Sequence, residues 1–135
     1  MNCEILAPAG DRESLEAALA AGAEAVYFGL DEGFNARARA GNFRLNGLSE
    51  LVTKIHRAGA RAYLALNTLI FQSELERVEE IVLEVARSKV DALIVQDPAI
   101  CLLARRICPQ LEVHASTQMT ISSPEARRFA ETLGR

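Results

Sequence analysis

Short apolar runs alternate with amphipathic helical stretches along the chain, and this alternation constrains the fold more than any other feature. The runs have the length and composition of buried strands. The stretches between them repeat apolar residues with helical spacing, as Leu48, Leu51, Val52 and Ile55 do. Regular alternation of this kind predicts an α/β protein with a parallel sheet and right-handed helical crossovers.

Capping signals bound the units of this pattern. Asp97 precedes a proline at the first helical position, and Gly22 and Gly59 follow helical stretches as stop signals. Ser73 and Glu76 have the spacing of a capping box. The predicted strands are 4–7, 25–29, 61–66, 92–95 and 112–115, and the predicted helices are 12–21, 47–58, 73 onward, 98–107 and 124–133.

Length then limits the architecture. The chain has 135 residues, fewer than the ~200 that a complete (β/α)₈ barrel needs. We therefore predict one partial domain over 1–135, a truncated TIM-type (β/α) barrel of about five βα units. An open flavodoxin-like sheet fits the same pattern and length, so the pattern alone leaves both folds open.

Charge and hydropathy indicate the compartment and exclude some partners. The net charge of −3 argues against a generally basic nucleic-acid surface. No apolar run approaches the roughly 20 residues that span a bilayer, and Met1-Asn2-Cys3-Glu4 lacks the basic start of a signal peptide. We expect a cytoplasmic protein without a membrane partner.

The cysteines and histidines do not have the spacing of a metal site. The three cysteines are an odd number with no close pair, and His56 and His114 have no cysteine or histidine at ligand spacing. We therefore expect no metal and no cofactor held by this chain alone.

Candidate binding residues follow the predicted strands, because ligands of parallel α/β folds bind at the carboxyl ends of the strands. The polar residues at these ends include Asn67, Gln96, His114 and Gln118. The loop after the second strand carries Asn35, Arg37, Arg39, Asn42 and Arg44. Its arginines either hold an anionic group through bidentate hydrogen bonds or pair with Asp31 and Glu32.

A nucleophilic triad is the alternative chemistry. Asp97, His114 and Ser116 are the candidates, since His114 and Ser116 share one face of a strand and Asp97 follows the neighbouring strand. No nucleophile elbow surrounds the serine, and Asp97 also fits a simple helix cap.

Six segments, in order, resemble the N-terminal region of the collagenase-like peptidases, peptidase family U32. They are 5–10, 21–29, 34–38, 66–69, 91–97 and 114–119. The resemblance implies the N-terminal barrel region of a longer protein, named either as a protease or as acting in prephenate-dependent hydroxylation of RNA or a quinone precursor. It also implies an iron–sulfur cluster in the longer protein, held by downstream cysteines that match none of Cys3, Cys101 and Cys108.

Two functional interpretations follow from this resemblance. In the first, the chain contributes substrate-binding residues to a family enzyme whose substrate is a small anion, a peptide or RNA. The candidates are Asn35, Arg37, Asn67, Gln96, His114 and Gln118. In the second, the chain is a non-catalytic half-barrel that self-associates or completes the barrel of a partner chain.

Overall fold

The computed structural model describes residues 3–36 and 43–133. Within these ranges five strands form one sheet, and five α-helices alternate with them. The strands are β1 (Leu6–Pro8), β2 (Ala25–Phe28), β3 (Arg61–Leu66), β4 (Ala92–Val95) and β5 (Glu112–Ala115). The helices are α1 (Arg12–Ala20), α2 (Leu48–Arg57), α3 (Leu75–Arg87), α4 (Pro98–Ile107) and α5 (Pro124–Leu133).

The order of the strands distinguishes the two folds that the pattern left open. Each strand pairs in parallel with the next in sequence, giving the order β1-β2-β3-β4-β5. A flavodoxin-like sheet instead has the order 2-1-3-4-5. The α/β fold with a truncated TIM-type (β/α) barrel of five units is therefore confirmed, and the open flavodoxin-like alternative is wrong.

The hydrophobic core lies on one face of the sheet. Val26, Leu64 and Leu93 from the strands pack with helix residues such as Val52 and Ile81, and all of them are fully buried. This core joins the described helices to one face of the sheet, and we call that face the outer face.

The opposite face, here called the inner face, carries a second, smaller cluster. Ala25, Tyr63 and Ala92 are its buried members, and Tyr27 and Ile94 pack against them. All five belong to strands, so no helix residue takes part in this described cluster. In a complete (β/α)₈ barrel, the residues of this face form the packed interior.

The ends of the first two helices confirm the predicted stop signals. Gly22 and Gly59 follow the C-caps of α1 and α2 with φ values of 84° and 81°. This left-handed region is open to glycine without the steric cost that a Cβ imposes. Lys89 adopts the same conformation, with φ 60°, after α3.

The start of α3 differs from the prediction. A 3₁₀ turn, Gln72–Glu74, precedes the helix, which begins at Leu75. The carboxylate of Glu74 accepts a hydrogen bond of 2.8 Å from the N–H of Phe71. The capping box predicted at Ser73 and Glu76 is therefore wrong. The capping interaction lies two residues earlier, at Phe71 and Glu74, because the 3₁₀ turn precedes the helix.

No helix in the described part of the chain combines the length and the apolar composition that crossing a membrane requires.

Candidate functional site

A cavity of about 500 Å³ lies along the inner face and opens at the carboxyl ends of the strands. Its floor includes Tyr27, Ala65 and Ile94, which are half-buried residues of three adjacent strands. Its rim is built from the loops that follow the strands. Small-molecule sites commonly have this volume and this combination of an apolar floor with a few polar groups.

Asn67 joins two loops of this rim. Its Oδ1 accepts a hydrogen bond of 2.9 Å from the N–H of Ala36, in the loop after β2. Its Nδ2 lies 3.4 Å from Oγ of Ser116, in the loop after β5. Strand β3 is the direct neighbour of β2, whereas β4 separates it from β5, so Asn67 contacts the loop after β5 across the end of β4.

Asn35 holds the loop after β2 from inside. Its side chain is buried, and its Nδ2 donates to the carbonyl oxygens of Leu30 at 3.0 Å and Gly33 at 3.2 Å. The preceding residue, Phe34, has a φ of 58°, in the left-handed region. The side chain of Asn35 thus fixes the backbone that precedes it.

The structure brings together most of the sequence-predicted binding residues. Asn35, Asn67, His114 and Gln118 line the cavity, while Gln96 is half-buried and is absent from the described lining. Arg37 lies outside the described residues, as do Arg39 and Asn42. The binding roles of all six candidates remain predictions.

The predicted triad does not form among the described residues. The carboxylate of Asp97 accepts from the N–H groups of Ala99 and Ile70, at 2.8 and 2.9 Å, so it caps α4 and anchors the loop after β3. His114 bonds to Glu112, and Oγ of Ser116 accepts from the N–H of Gln118 at 3.2 Å. A serine without a hydrogen-bonded base is not activated as a nucleophile. No hydrogen bond in the described part of the chain joins these three side chains, so their catalytic role stays a prediction, while Asp97 caps α4.

A network of charged and aromatic side chains lies on the inner face toward the start of the strands, and one of its members, His114, also lines the cavity. Arg61 donates to Glu112 at 2.9 Å, and Glu112 bonds to Nε2 of His114 at 2.6 Å. The hydroxyl of Tyr63 donates to Glu4 at 2.9 Å, and the Tyr63 ring meets His114 edge to face, with centroids 5.1 Å apart. These five residues are called the inner-face network below.

Electrostatic effects in the inner-face network follow from its contacts. Burial raises the pKa of Tyr63 to about 12, and the hydrogen bond to Glu4 acts in the same direction. The hydrogen bond with His114 lowers the pKa of Glu112, and the Arg61 bond adds to this. Glu112 is therefore an ionised acceptor at neutral pH.

Sequence reasoning did not identify four members of this network, Glu4, Arg61, Tyr63 and Glu112. A signal was present, because Arg61 and Tyr63 are two apart on one strand, and Glu112 and His114 are two apart on another. Side chains two apart on a strand share a face. Charged residues at the first positions of β3 and β5 therefore indicate polar groups on the inner face.

Of the three arginines in the loop after β2, the structure describes Arg44. Arg44 lies 3.7 Å from Asp31, an exposed ion pair, whereas Glu32 pairs with Arg77 of α3. The sequence predicted that Glu32 pairs with an arginine of the loop after β2. In the structure, its partner is Arg77, which belongs to α3.

The cysteines do not fit an iron–sulfur cluster, which takes four thiolates in the cysteine-only sites. Cys3, Cys101 and Cys108 are all described, are all unpaired, and number three. Burial raises the pKa of the Cys101 thiol, which disfavours the thiolate. In the described ranges, no three His, Cys, Asp or Glu side chains are grouped as metal ligands.

Parallel strands in sequential order, with a cavity at their carboxyl edge, define the chain as part of a (β/α) barrel. The profile of Peptidase family U32 matches residues 10–135. The chain belongs to this family, as its strand-end segments predicted.

Relatives with different names share the matched region. A collagenase of Porphyromonas gingivalis is 40% identical over 127 residues, which are 93% of this chain and 30% of that protein. The 23S rRNA 5-hydroxycytidine C2501 synthase of Escherichia coli is 40% identical over 131 residues, 97% of this chain and 19% of the relative. The tRNA hydroxylation protein P1 of Bacillus subtilis is 35% identical, over 93% of this chain and 30% of the relative.

This chain thus spans less than a third of the length of these relatives. A solved structure, that of the U32 peptidase Mk0906, superposes with a TM-score of 0.76 over 98% of this chain and 56% of the other. At 15% identity this match shows a shared fold.

Proposed function

We propose that this chain is the substrate-binding part of a barrel enzyme that hydroxylates RNA, and that its cavity binds the small anionic oxygen donor. The observation that carries the proposal is the cavity itself, with an apolar floor that suits a carbon ring and a polar rim that suits carboxylates. Prephenate, a dicarboxylate with a ring, is the donor that the family resemblance suggests.

The names of two relatives support hydroxylation, and the name of a third, the collagenase, supports peptide hydrolysis. The proteins named for 23S rRNA and tRNA hydroxylation match nearly the whole of this chain, as the collagenase does. Asp97, His114 and Ser116 make separate hydrogen bonds, which supports hydroxylation over hydrolysis by a serine triad. The cytoplasm is the proposed compartment, because the tRNA and rRNA of bacteria are there.

Arg37 is the proposed ligand of a substrate carboxylate. It follows Ala36, whose N–H is held by Asn67 at the cavity rim. A guanidinium offers a planar fork that matches a carboxylate, while a lysine offers only a point charge. Arg37→Lys should therefore weaken anion binding although the net charge is unchanged.

Calorimetric titration of the chain with prephenate tests this proposal. We expect saturable binding that Arg37→Lys weakens by about tenfold, as loss of one bidentate interaction implies, at an unchanged melting temperature. Arg105→Lys, on the exposed side of α4, is the matched control and should bind as the parent does. The proposal would be refuted if prephenate does not bind the parent chain, or if Arg37→Lys and Arg105→Lys bind prephenate with equal affinity. Cleavage of a collagen peptide by the parent but not by Ser116→Ala would favour the peptidase instead.

The second candidate function is assembly, and a specific observation favours it. The described helices pack on the outer face, and the chain exposes 8252 Å² of surface. A compact monomer of this size exposes about 6,900 Å², so roughly 1,300 Å² more is open than expected. A standard interface covers about 800 Å² per partner.

We propose that residues 1–135 form one partial barrel domain, the N-terminal part of a longer architecture, and that an isolated chain pairs its inner face with a second copy. Sedimentation velocity of the parent should then show a dimer, and Ile94→Lys on the inner face should shift it to monomer. Leu102→Lys, on the exposed side of α4, is the control and should leave the dimer intact. A monomeric parent at micromolar concentration would exclude self-association.

A further inference from the structure

The inner-face network contains an imidazole–carboxylate pair whose imidazole lines the cavity. Nε2 of His114 lies 2.6 Å from Glu112 Oε1, and His114 is part of the cavity wall. The two residues are two apart on β5 and therefore share the inner face. This pair is distinct from the triad considered in the sequence, because its carboxylate is Glu112.

Arg61 and Tyr63 fix the geometry of this pair from β3. Arg61 donates to the other carboxylate oxygen, Oε2, so that both oxygens of Glu112 are engaged. Tyr63 packs edge to face against the His114 ring at 82° and donates its hydroxyl to Glu4. Ile94, the register partner of His114 on β4, adds an apolar neighbour.

The direction of the hydrogen bond follows from charge. Glu112 is ionised and can only accept, so Nε2 of His114 carries the proton. In the neutral imidazole the second nitrogen, Nδ1, then has a lone pair. Nδ1 has no hydrogen-bond partner in the part of the chain that the structure describes.

We propose that Glu112, held by Arg61, is a positioning residue that fixes His114 as the Nε2–H tautomer and thereby presents Nδ1 to the cavity as a hydrogen-bond acceptor. The ligand that fits this acceptor is a small ring carrying a hydroxyl group, since the floor beside it is apolar. This ligand assignment rests on the small-molecule cavity of the proposed function, whereas the tautomer assignment does not.

NMR of the ring N–H of His114 tests the positioning role without any ligand. The chain has two histidines, and His56→Gln leaves His114 as the only one. We expect a slowly exchanging ring N–H resonance bonded to Nε2 in this variant. Adding Glu112→Ala should abolish it, because water then exchanges the proton.

Glu4→Ala is the matched control, because Glu4 belongs to the same network but does not contact His114. The resonance should persist in this variant, and backbone amide spectra should show that all variants are folded. If Glu112→Ala is unfolded, Glu112→Gln replaces it and should broaden the resonance. Three results would overturn the positioning role. They are a ring N–H resonance bonded to Nδ1 instead of Nε2, no slowly exchanging ring N–H in the His56→Gln chain, and a slowly exchanging ring N–H that persists when Glu112 is replaced by alanine.

Phenol and fluorobenzene, two rings of similar size, test the acceptor. We expect phenol to bind His56→Gln about fivefold more tightly than fluorobenzene, as one net hydrogen bond implies, and to lose this preference in His114→Phe. Equal affinity in the chain that retains His114 would overturn the acceptor role. Binding of neither ring would refute the cavity as a small-molecule site, while the ring N–H experiment still decides the tautomer.

Discussion

Asn67→Ala should release the loop that precedes Arg37 while leaving the barrel segment folded. The side chain of Asn67 accepts from the N–H of Ala36 at 2.9 Å and contacts Ser116 at 3.4 Å. The first contact is a well-formed hydrogen bond, and the second is at the long end of the range. The amide of Ala36 is therefore the group that loses a partner.

The size of the expected effect on amide exchange and stability follows from the exposure of Ala36. Ala36 is exposed, so water replaces the side chain once it is removed. A hydrogen bond exchanged for water contributes about 1 kcal/mol, which corresponds to roughly a fivefold change in an opening equilibrium. We expect amide exchange at Ala36 to accelerate about fivefold, and the free energy of unfolding to fall by no more than about 1 kcal/mol.

Asn67→Asp is the decisive comparison, because it keeps the Oδ1 acceptor and removes the Nδ2 donor. Exchange at Ala36 should stay slow in this variant. Asn46→Ala, at an exposed asparagine in the turn before α2, controls for loss of an amide side chain and should change nothing. If Ala36 exchanges at the parental rate in Asn67→Ala, the reasoning that Asn67 fixes this loop is refuted.

Three further predictions concern stability and titration. Asp97→Ala removes the acceptor of two backbone N–H groups, so chemical denaturation should show that the free energy of unfolding falls by about 2 kcal/mol. An unchanged free energy of unfolding would contradict the role of Asp97 as a helix cap. Gly59→Ala places a residue with a Cβ in the left-handed region, where the added Cβ meets no atom within 4 Å. Backbone strain alone should therefore lower the free energy of unfolding by about 1 kcal/mol, and an unchanged midpoint of denaturation would contradict this. The pKa of Tyr63 is raised from 10.0 to about 12, so its contribution to stability is complete below pH 10 and is lost as the pH rises toward 12. Tyr63→Phe should remove an absorbance change near pH 12 in a tyrosinate titration, and a titration curve complete by pH 11 in the parent would refute the shift.

The local pattern of the chain was sufficient to predict its elements and their order. Strand β3 at 61–66 and strand β4 at 92–95 have the predicted bounds, and the glycines at the ends of α1 and α2 adopt the predicted conformation. Apolar periodicity, caps and glycine stops act over a few residues. They can therefore be recognised without knowing what the chain packs against.

The binding residues at the strand ends were predictable for a related reason. In a parallel sheet, the carboxyl ends of all strands meet at one edge, so Asn67, His114 and Gln118 were expected to lie near each other, and they line one cavity. What the pattern does not contain is the direction of each hydrogen bond. Asn67 is engaged by the N–H of Ala36, 31 positions away in sequence.

Tertiary structure alone decided the strand order, the face of the sheet on which the described helices pack, and the placement of Arg61 beside Glu112. Flavodoxin-like and barrel sheets share the same βα alternation, and they differ only in which strands are neighbours. His114 pairs with Glu112 rather than with Ser116 because Arg61, on a strand 51 positions away from Glu112, holds that carboxylate in place. A contact between strands depends on twist and register along the whole sheet, and no short stretch of sequence specifies either.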